Sequence, residues 1–165
     1  MFKPNIKLKK ITDITVPLLE KYGINALILD VDNTLSTHHG QVLTEGLQQW
    51  LDLMRKNGIK MTVLSNSKSK RLAPFAKKIG LDYISLGLKP LPFGFWRALK
   101  RLNTKRKTTA IVGDQIFTDV LGGNIVGLKT IMLTPIKPET SLRFRIKRKL
   151  ESYLIKLLKI TDMEV

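Results

Sequence analysis

Cysteine is absent from the 165 residues of this chain. Its absence excludes a disulfide framework, thiolate zinc sites and a cysteine nucleophile, and it suits a reducing compartment. Acidic residues are scarce as well: 13 Asp and Glu stand against 29 Lys and Arg, for a net charge of +16. Such a surface attracts anions, whether nucleic acid, ribosome or phospholipid, and charge alone does not choose among them. Nowhere do about 18 apolar residues run together, as a membrane-spanning helix requires, and no signal-peptide core follows the four lysines of residues 1–10. These absences lead to the expectation of a cytoplasmic protein, or one peripheral on the inner face of a membrane. What is present is ordinary for a folded domain: 43% hydrophobic and 25% charged residues, in a length that suits a single domain.

The hydrophobic pattern alternates between strand-like and helix-like segments. Ala26 to Val31 is a short apolar run, too brief for a helix and rich in branched residues, which reads as a buried strand. Thr44 is placed to cap a helix carrying Leu47, Trp50, Leu51 and Met54, with Asn57-Gly58 as its stop. Lys60 to Ser65 is a second strand, and Lys68 to Ile79 a basic helix that Pro74 would kink or shorten at its start. Asp82 to Leu86, Thr108 to Val112 and Lys129 to Leu133 read as further strands, separated by helices at Pro92 to Leu102 and Phe117 to Ile125. This alternation predicts an α/β fold with a parallel sheet flanked by helices, in which ligands bind at the carboxyl ends of the strands. We divide the chain into a core of residues 1–135 and a C-terminal helical segment, residues 136–165, within the same domain.

Polar residues at the strand ends are therefore the candidates. Asp30 and Asp32 sit two apart where the first strand ends, a spacing that turns both carboxylates to one side of an extended segment. Two like charges at one place call for a hard metal ion or a raised pKa, and the plain alternative is an acidic turn. Ser65 and Asn66 close the second strand, where they would otherwise cap a helix. Lys89 follows in Gly87-Leu88-Lys89-Pro90, and Gly113-Asp114 ends a later strand with Asp119 five residues on. Taken singly, Lys89 is a loop lysine and Asp114 a turn residue. Together, four loops supply a carboxylate nucleophile, a hydroxyl and an ammonium for phosphate oxygens, and a further carboxylate for a metal.

Asp30-Val31-Asp32-Asn33-Thr34, Ser65-Asn66, Lys89-Pro90 and Gly113-Asp114-Gln115-Ile116-Phe117-Thr118-Asp119 resemble, in this order, the four motifs of the haloacid dehalogenase (HAD) superfamily of phosphatases. The likeness covers about Ile24 to Pro135 and is closest to the subfamily IIIA phosphatases of the YqeG-like group, which are similar to mitochondrial phosphatidylglycerophosphatase. The resemblance implies a Rossmann-like HAD fold with Asp30 as the nucleophile forming an aspartyl-phosphate and Asp32 as general acid and base. It implies Mg²⁺ held by Asp30, Asp114 and the backbone carbonyl of Asp32, with Asp119 behind them or reaching the metal through water. Ser65, Asn66 and Lys89 would hold the phosphoryl oxygens. The intervals between these motifs leave no room for a cap domain, and an uncapped member is expected to act on proteins, nucleic acid ends or lipid headgroups. His38-His39 falls in the turn after the first motif and reads as an exposed pair.

The last segment, Leu142 to Ile160, is a basic amphipathic helix. Leu142, Ile146, Leu150, Leu154 and Leu157-Leu158 recur at helical spacing beside Arg143, Arg145, Lys147, Arg148, Lys149, Lys156 and Lys159, with Glu151 as the acidic exception. Such a helix lies in an anionic membrane interface, or packs its stripe against the sheet, or does both. The leading expectation is an Mg²⁺-dependent phosphatase acting on phosphatidylglycerophosphate at an anionic membrane surface. The alternatives are a HAD phosphatase for a soluble, protein or nucleic acid phosphate, and a ribosome- or RNA-associated binding protein using Lys100, Arg101, Lys105, Arg106 and Lys107.

Overall fold

The computed structural model describes residues 1–37, 42–138 and 141–163. Six strands form one sheet: β1 (Ile6–Leu8), β2 (Ala26–Leu29), β3 (Lys60–Leu64), β4 (Tyr83–Ile84), β5 (Thr109–Gly113) and β6 (Lys129–Leu133). Their order is β1-β6-β5-β2-β3-β4, and every neighbouring pair is parallel. From β2 the chain builds outward through β3 to β4, then crosses back to place β5 on the other side of β2. That reversal leaves a crevice beyond the carboxyl ends of β2 and β5, where ligands bind in folds of this kind.

Helices α1 (Val16–Lys21), α2 (Leu47–Lys56) and α3 (Ser69–Ile79) cover one face. Their buried residues Leu19, Leu51 and Phe75 pack with Leu27 and Leu29 of β2 and Val63 of β3. Ala26 and Ile28, the alternate residues of β2, face the other way and meet Phe95, Ala98 and Leu102 of α4 (Pro92–Leu102) and Val126 of α5 (Leu121–Val126). Each fully buried Leu or Ile in these layers contributes about 1.5–3 kcal/mol. The long connection between β2 and β3 holds α2 as its one helix among the described residues, so no cap domain stands over the crevice.

Several elements depart from the sequence reading. β1 and α1 were not anticipated: β1 is three residues long, and its pairing with β6 is reinforced by a hydrogen bond from the Thr130 amide to Asn5 Oδ1 (2.8 Å). α2 starts after Gly46 in the left-handed region (φ 74°), while the Thr44 hydroxyl donates to the Leu35 carbonyl (3.1 Å) instead of capping the helix. Helix α3 begins at Ser69 with Pro74 inside it. The strand expected from Asp82 to Leu86 is only Tyr83–Ile84, because the chain leaves the sheet through Leu86 at φ 47°. The helix expected at Phe117 to Ile125 is divided into a π-helical turn, Ile116–Val120, and α5.

The C-terminal helix is α6 (Leu142–Leu157). Leu154, Ile155 and Leu158 pack on Ile116, Val120 and Met132, while Leu142, Ile146, Leu150, Tyr153 and Leu157 are exposed, Leu142 by 70%. Of the alternatives left open by the sequence, part of the helix packs on the core and most of the apolar stripe lies outside, because the inner face also carries Lys147, Arg148 and Glu151, which bond to Gln115, Asp114 and Phe117.

Candidate active site

Asp30 is the residue after β2, and its amide donates to the Val112 carbonyl (2.9 Å), so the β2–β5 ladder positions it. Asp114 follows β5 in the same way. The Lys89 ammonium donates to Asp30 Oδ1 and to Asp119 Oδ1, each at 2.6 Å. Asp30, Asp114 and Asp119 each place a carboxylate oxygen within 4.8 Å of the others, and all three are buried. Asp119 fits there because Gly113 has no side chain: a Cβ at Gly113 would collide with the Asp119 carboxylate. Its other oxygen, Oδ2, accepts from the Gln115 amide (3.2 Å).

Lys89 is held by its main chain. The Asn66 side chain accepts from the Lys89 amide (2.7 Å) and donates to the Lys89 carbonyl (3.1 Å). Asn66 therefore clasps the lysine loop, and both ends of its amide are used in doing so. Ser65 is buried and its hydroxyl oxygen accepts from the Ser67 amide (3.1 Å). Asp32, Ser65 and Arg71 line one small crevice, in which Arg71 forms an ion pair with Asp32. At the end of β5, Arg148 pairs with Asp114 Oδ2, donates to the Asp114 carbonyl (2.9 Å) and pairs with Glu151 (2.9 Å). Lys147 donates to Gln115 Oε1 (2.5 Å).

Burial dominates the electrostatics. It raises Asp30 from 3.8 to about 7, with Lys89 opposing the rise and Asp119 adding to it. Asp114 is also pushed well above the usual carboxylate range by burial, against the pull of Arg148. Burial would lower Lys89, but Asp119 and Asp30 outweigh it and hold the ammonium above its ordinary value. Three carboxylates thus share two cations, Lys89 and Arg148, which leaves the cluster one positive charge short. Asp114 Oδ1 is buried with no hydrogen-bond partner among the described residues. A small hard cation accepting oxygen ligands supplies both the missing charge and the missing partner, so the cluster fits Mg²⁺.

Residues 11–127 match the haloacid dehalogenase-like hydrolase family. The chain belongs to that family. It is 33% identical over 158 residues to the probable phosphatase YqeG of Bacillus subtilis, covering 96% of this chain and 92% of the relative. It is 27% identical over 169 residues to the mitochondrial phosphatidylglycerophosphatase of Saccharomyces cerevisiae, covering 92% and 89%. Among solved structures it is similar in fold to NagD from E. coli K-12, with a TM-score of 0.57, 16% identity, and coverage of 73% of this chain and 91% of the other. The protein is a HAD-like hydrolase of the phosphatase type.

Within this HAD fold the seven site residues named from the sequence converge. Asp30, Lys89, Asp114 and Asp119 form one cluster, and Asp32, Ser65 and Asn66 adjoin it. Asp119 stands inside the cluster itself, bonded to Lys89. Sequence reasoning did not find Arg71 or Arg148. Arg71 lies on the first turn of α3 directly after the Ser65 loop, which is a usable signal, whereas Arg148 is one of many cations on α6 and nothing in its spacing singles it out. Lys105, Arg106 and Lys107 are exposed just before β5, at the end of the sheet opposite the cluster. His38 and His39 lie outside the described residues.

Proposed function

We propose that this hydrolase removes the terminal phosphate of phosphatidylglycerophosphate at an anionic membrane surface, releasing phosphatidylglycerol and phosphate. The observation that carries this reading is the exposed apolar segment around Lys89. Leu86, Leu88, Leu91, Phe93 and Trp96 are all about half exposed or more, and they surround the buried Lys89 in sequence. Leu86 and Leu88 are at φ 47° and 53°, a region that bulky residues rarely adopt. Exposed apolar side chains bracketing a phosphate-binding lysine suit a substrate whose phosphate is joined to a lipid. The exposed stripe of α6, tied to the same cluster through Arg148, and the net charge of +16 suit an anionic bilayer. The similarity to the yeast phosphatidylglycerophosphatase supports the same substrate.

In this mechanism a carboxylate oxygen of Asp30 attacks phosphorus as the bond to the glycerol oxygen breaks, and Asp32 gives its proton to the leaving alkoxide. Asp32 then takes a proton from water, which attacks the aspartyl-phosphate, breaks the bond to Asp30 and frees inorganic phosphate. Lys89 holds phosphoryl oxygens and offsets their charge, and Arg71 orients Asp32. Asp30, Asp114 and the Asp32 carbonyl would hold Mg²⁺, with Asp119 beside them. Bound there, the ion lowers the cost of ionising Asp30 and neutralises phosphoryl charge.

The test is phosphate release from phosphatidylglycerophosphate in mixed micelles with Mg²⁺. Wild-type turnover that Asp30→Asn reduces by about a thousandfold or more is the expected result. Hydrolysis of a small aryl phosphate with none of the lipid retains the HAD chemistry and removes the lipid substrate. Salt-sensitive RNA binding with no turnover of either would favour the binding-protein alternative.

A further inference from the structure

A pocket of 460 Å³ opens beside the carboxylate cluster, lined by Pro135, Lys137, Pro138, Arg145 and Arg148. Three of these five residues are cationic and none is acidic. Arg145 and Arg148 lie one helical turn apart and project from the same side of α6. Lys137 sits on the connection from β6, where its amide donates to Asn33 Oδ1 (3.2 Å), in the loop that carries Asp30 and Asp32. Arg148 is common to the pocket and the cluster, since it also pairs with Asp114.

Lys137 and Arg145 are exposed and have no ion-pair partner among the described residues. Cations gathered at one place repel one another unless an anion joins them, and guanidinium groups match phosphate geometry. In the proposed mechanism one phosphate lies at Asp30 and Lys89. A second anionic group on the same substrate would meet Lys137 and Arg145.

We propose that this pocket binds a second phosphate of the substrate, so that the enzyme selects phosphomonoesters bearing another phosphate a short carbon spacer away. The proposal rests on the preceding reading and deepens it, because the glycerol headgroup of phosphatidylglycerophosphate joins its phosphomonoester to a phosphodiester. A soluble bisphosphate offers the same chemistry without acyl chains. Arg148 forms the shared wall, while Lys137 and Arg145 make the contacts that distinguish two phosphates from one.

The test separates binding from turnover. Calorimetry on the full-length Asp30→Asn protein with Mg²⁺ compares glycerol bisphosphate, phosphorylated on both terminal carbons, with glycerol monophosphate. The bisphosphate should bind about tenfold more tightly or better, and Lys137→Ala with Arg145→Ala should abolish that preference while leaving the monophosphate unaffected. Equal affinity for the two probes, or a preference that survives the double substitution, overturns the pocket. The lipid arm measures hydrolysis of phosphatidylglycerophosphate and phosphatidic acid in mixed micelles, where the double variant should raise KM for the first alone by about tenfold. Preference for the soluble bisphosphate with hydrolysis of neither lipid supports the pocket and removes the lipid reading. Hydrolysis of phosphatidylglycerophosphate that is indifferent to Lys137 and Arg145 keeps the lipid and removes the pocket.

Discussion

Arg148 shows how one residue ties a surface helix to a buried cluster. Its guanidinium holds both the carboxylate, through Oδ2, and the carbonyl of Asp114, and Asp114 lies in one cluster with Asp30 and Asp119. Burial would lower the guanidinium, but Asp114 and Glu151 outweigh it and keep it charged. Removing one partner of a buried ion pair leaves the other uncompensated, which costs about 3–5 kcal/mol. Arg148→Met should therefore lower the stability of the metal-free protein by about 3 kcal/mol in urea denaturation, and Mg²⁺ should restore part of the loss by replacing the missing charge. An unchanged midpoint in EDTA would show that Asp114 does not depend on Arg148. Gly113 sits on the other side of the same cluster. Gly113→Ala should push Asp119 away from Lys89, reducing activity and Mg²⁺ affinity together, as read by turnover and by Mg²⁺ titration calorimetry.

At the scale of elements, the exposed apolar segment from Leu86 to Trp96 and the outer face of α6 carry a prediction that the tryptophans report. Trp96 is 54% exposed and packs edge to face with Phe93 at 5.7 Å, whereas Trp50 is 4% exposed with its indole donating to the Ile14 carbonyl. Vesicles containing phosphatidylglycerol should shift the fluorescence to the blue, and Trp96→Phe should abolish the shift while vesicle binding persists. Leu91→Ser with Phe93→Ser should weaken partitioning by about tenfold or more, since each large apolar side chain transferred from water contributes on the order of 1.5–3 kcal/mol when fully buried. Binding without a Trp96 shift would place the contact elsewhere. The strands that position the site were legible because β2, β3, β5 and β6 are almost wholly buried and read as short, mostly apolar and β-branched runs. At the edges less was legible: β1, three residues long, was missed, and β4 was expected but is only two residues long. On α6 apolar residues occur on both sides, so composition identified a basic amphipathic helix but not which side faced inward. Pairs between distant elements, such as Arg148 with Asp114, have no fixed spacing, and only the folded chain reveals them.

For the whole molecule, the buried cluster links stability, pH and metal. Asp30 rises from 3.8 to about 7 and Asp114 moves in the same direction, both chiefly through burial. A carboxyl whose folded pKa exceeds its unfolded value binds its proton more tightly in the folded state. Its contribution is complete below the unfolded pKa, near 3.8 for Asp30, and is lost as the pH rises through about 7. In EDTA the melting temperature should therefore fall between about pH 5 and pH 8, by about 2–4 °C for each kcal/mol lost. Saturating Mg²⁺ replaces the protons as the partner of these oxygens, so its binding releases protons and strengthens as the pH rises. The gap between melting curves with Mg²⁺ and with EDTA should widen over the same interval. A metal-free protein whose stability stays level across neutral pH would show that Lys89 and Arg148 already balance the three aspartates, and the argument for a cation from charge deficit would then fail.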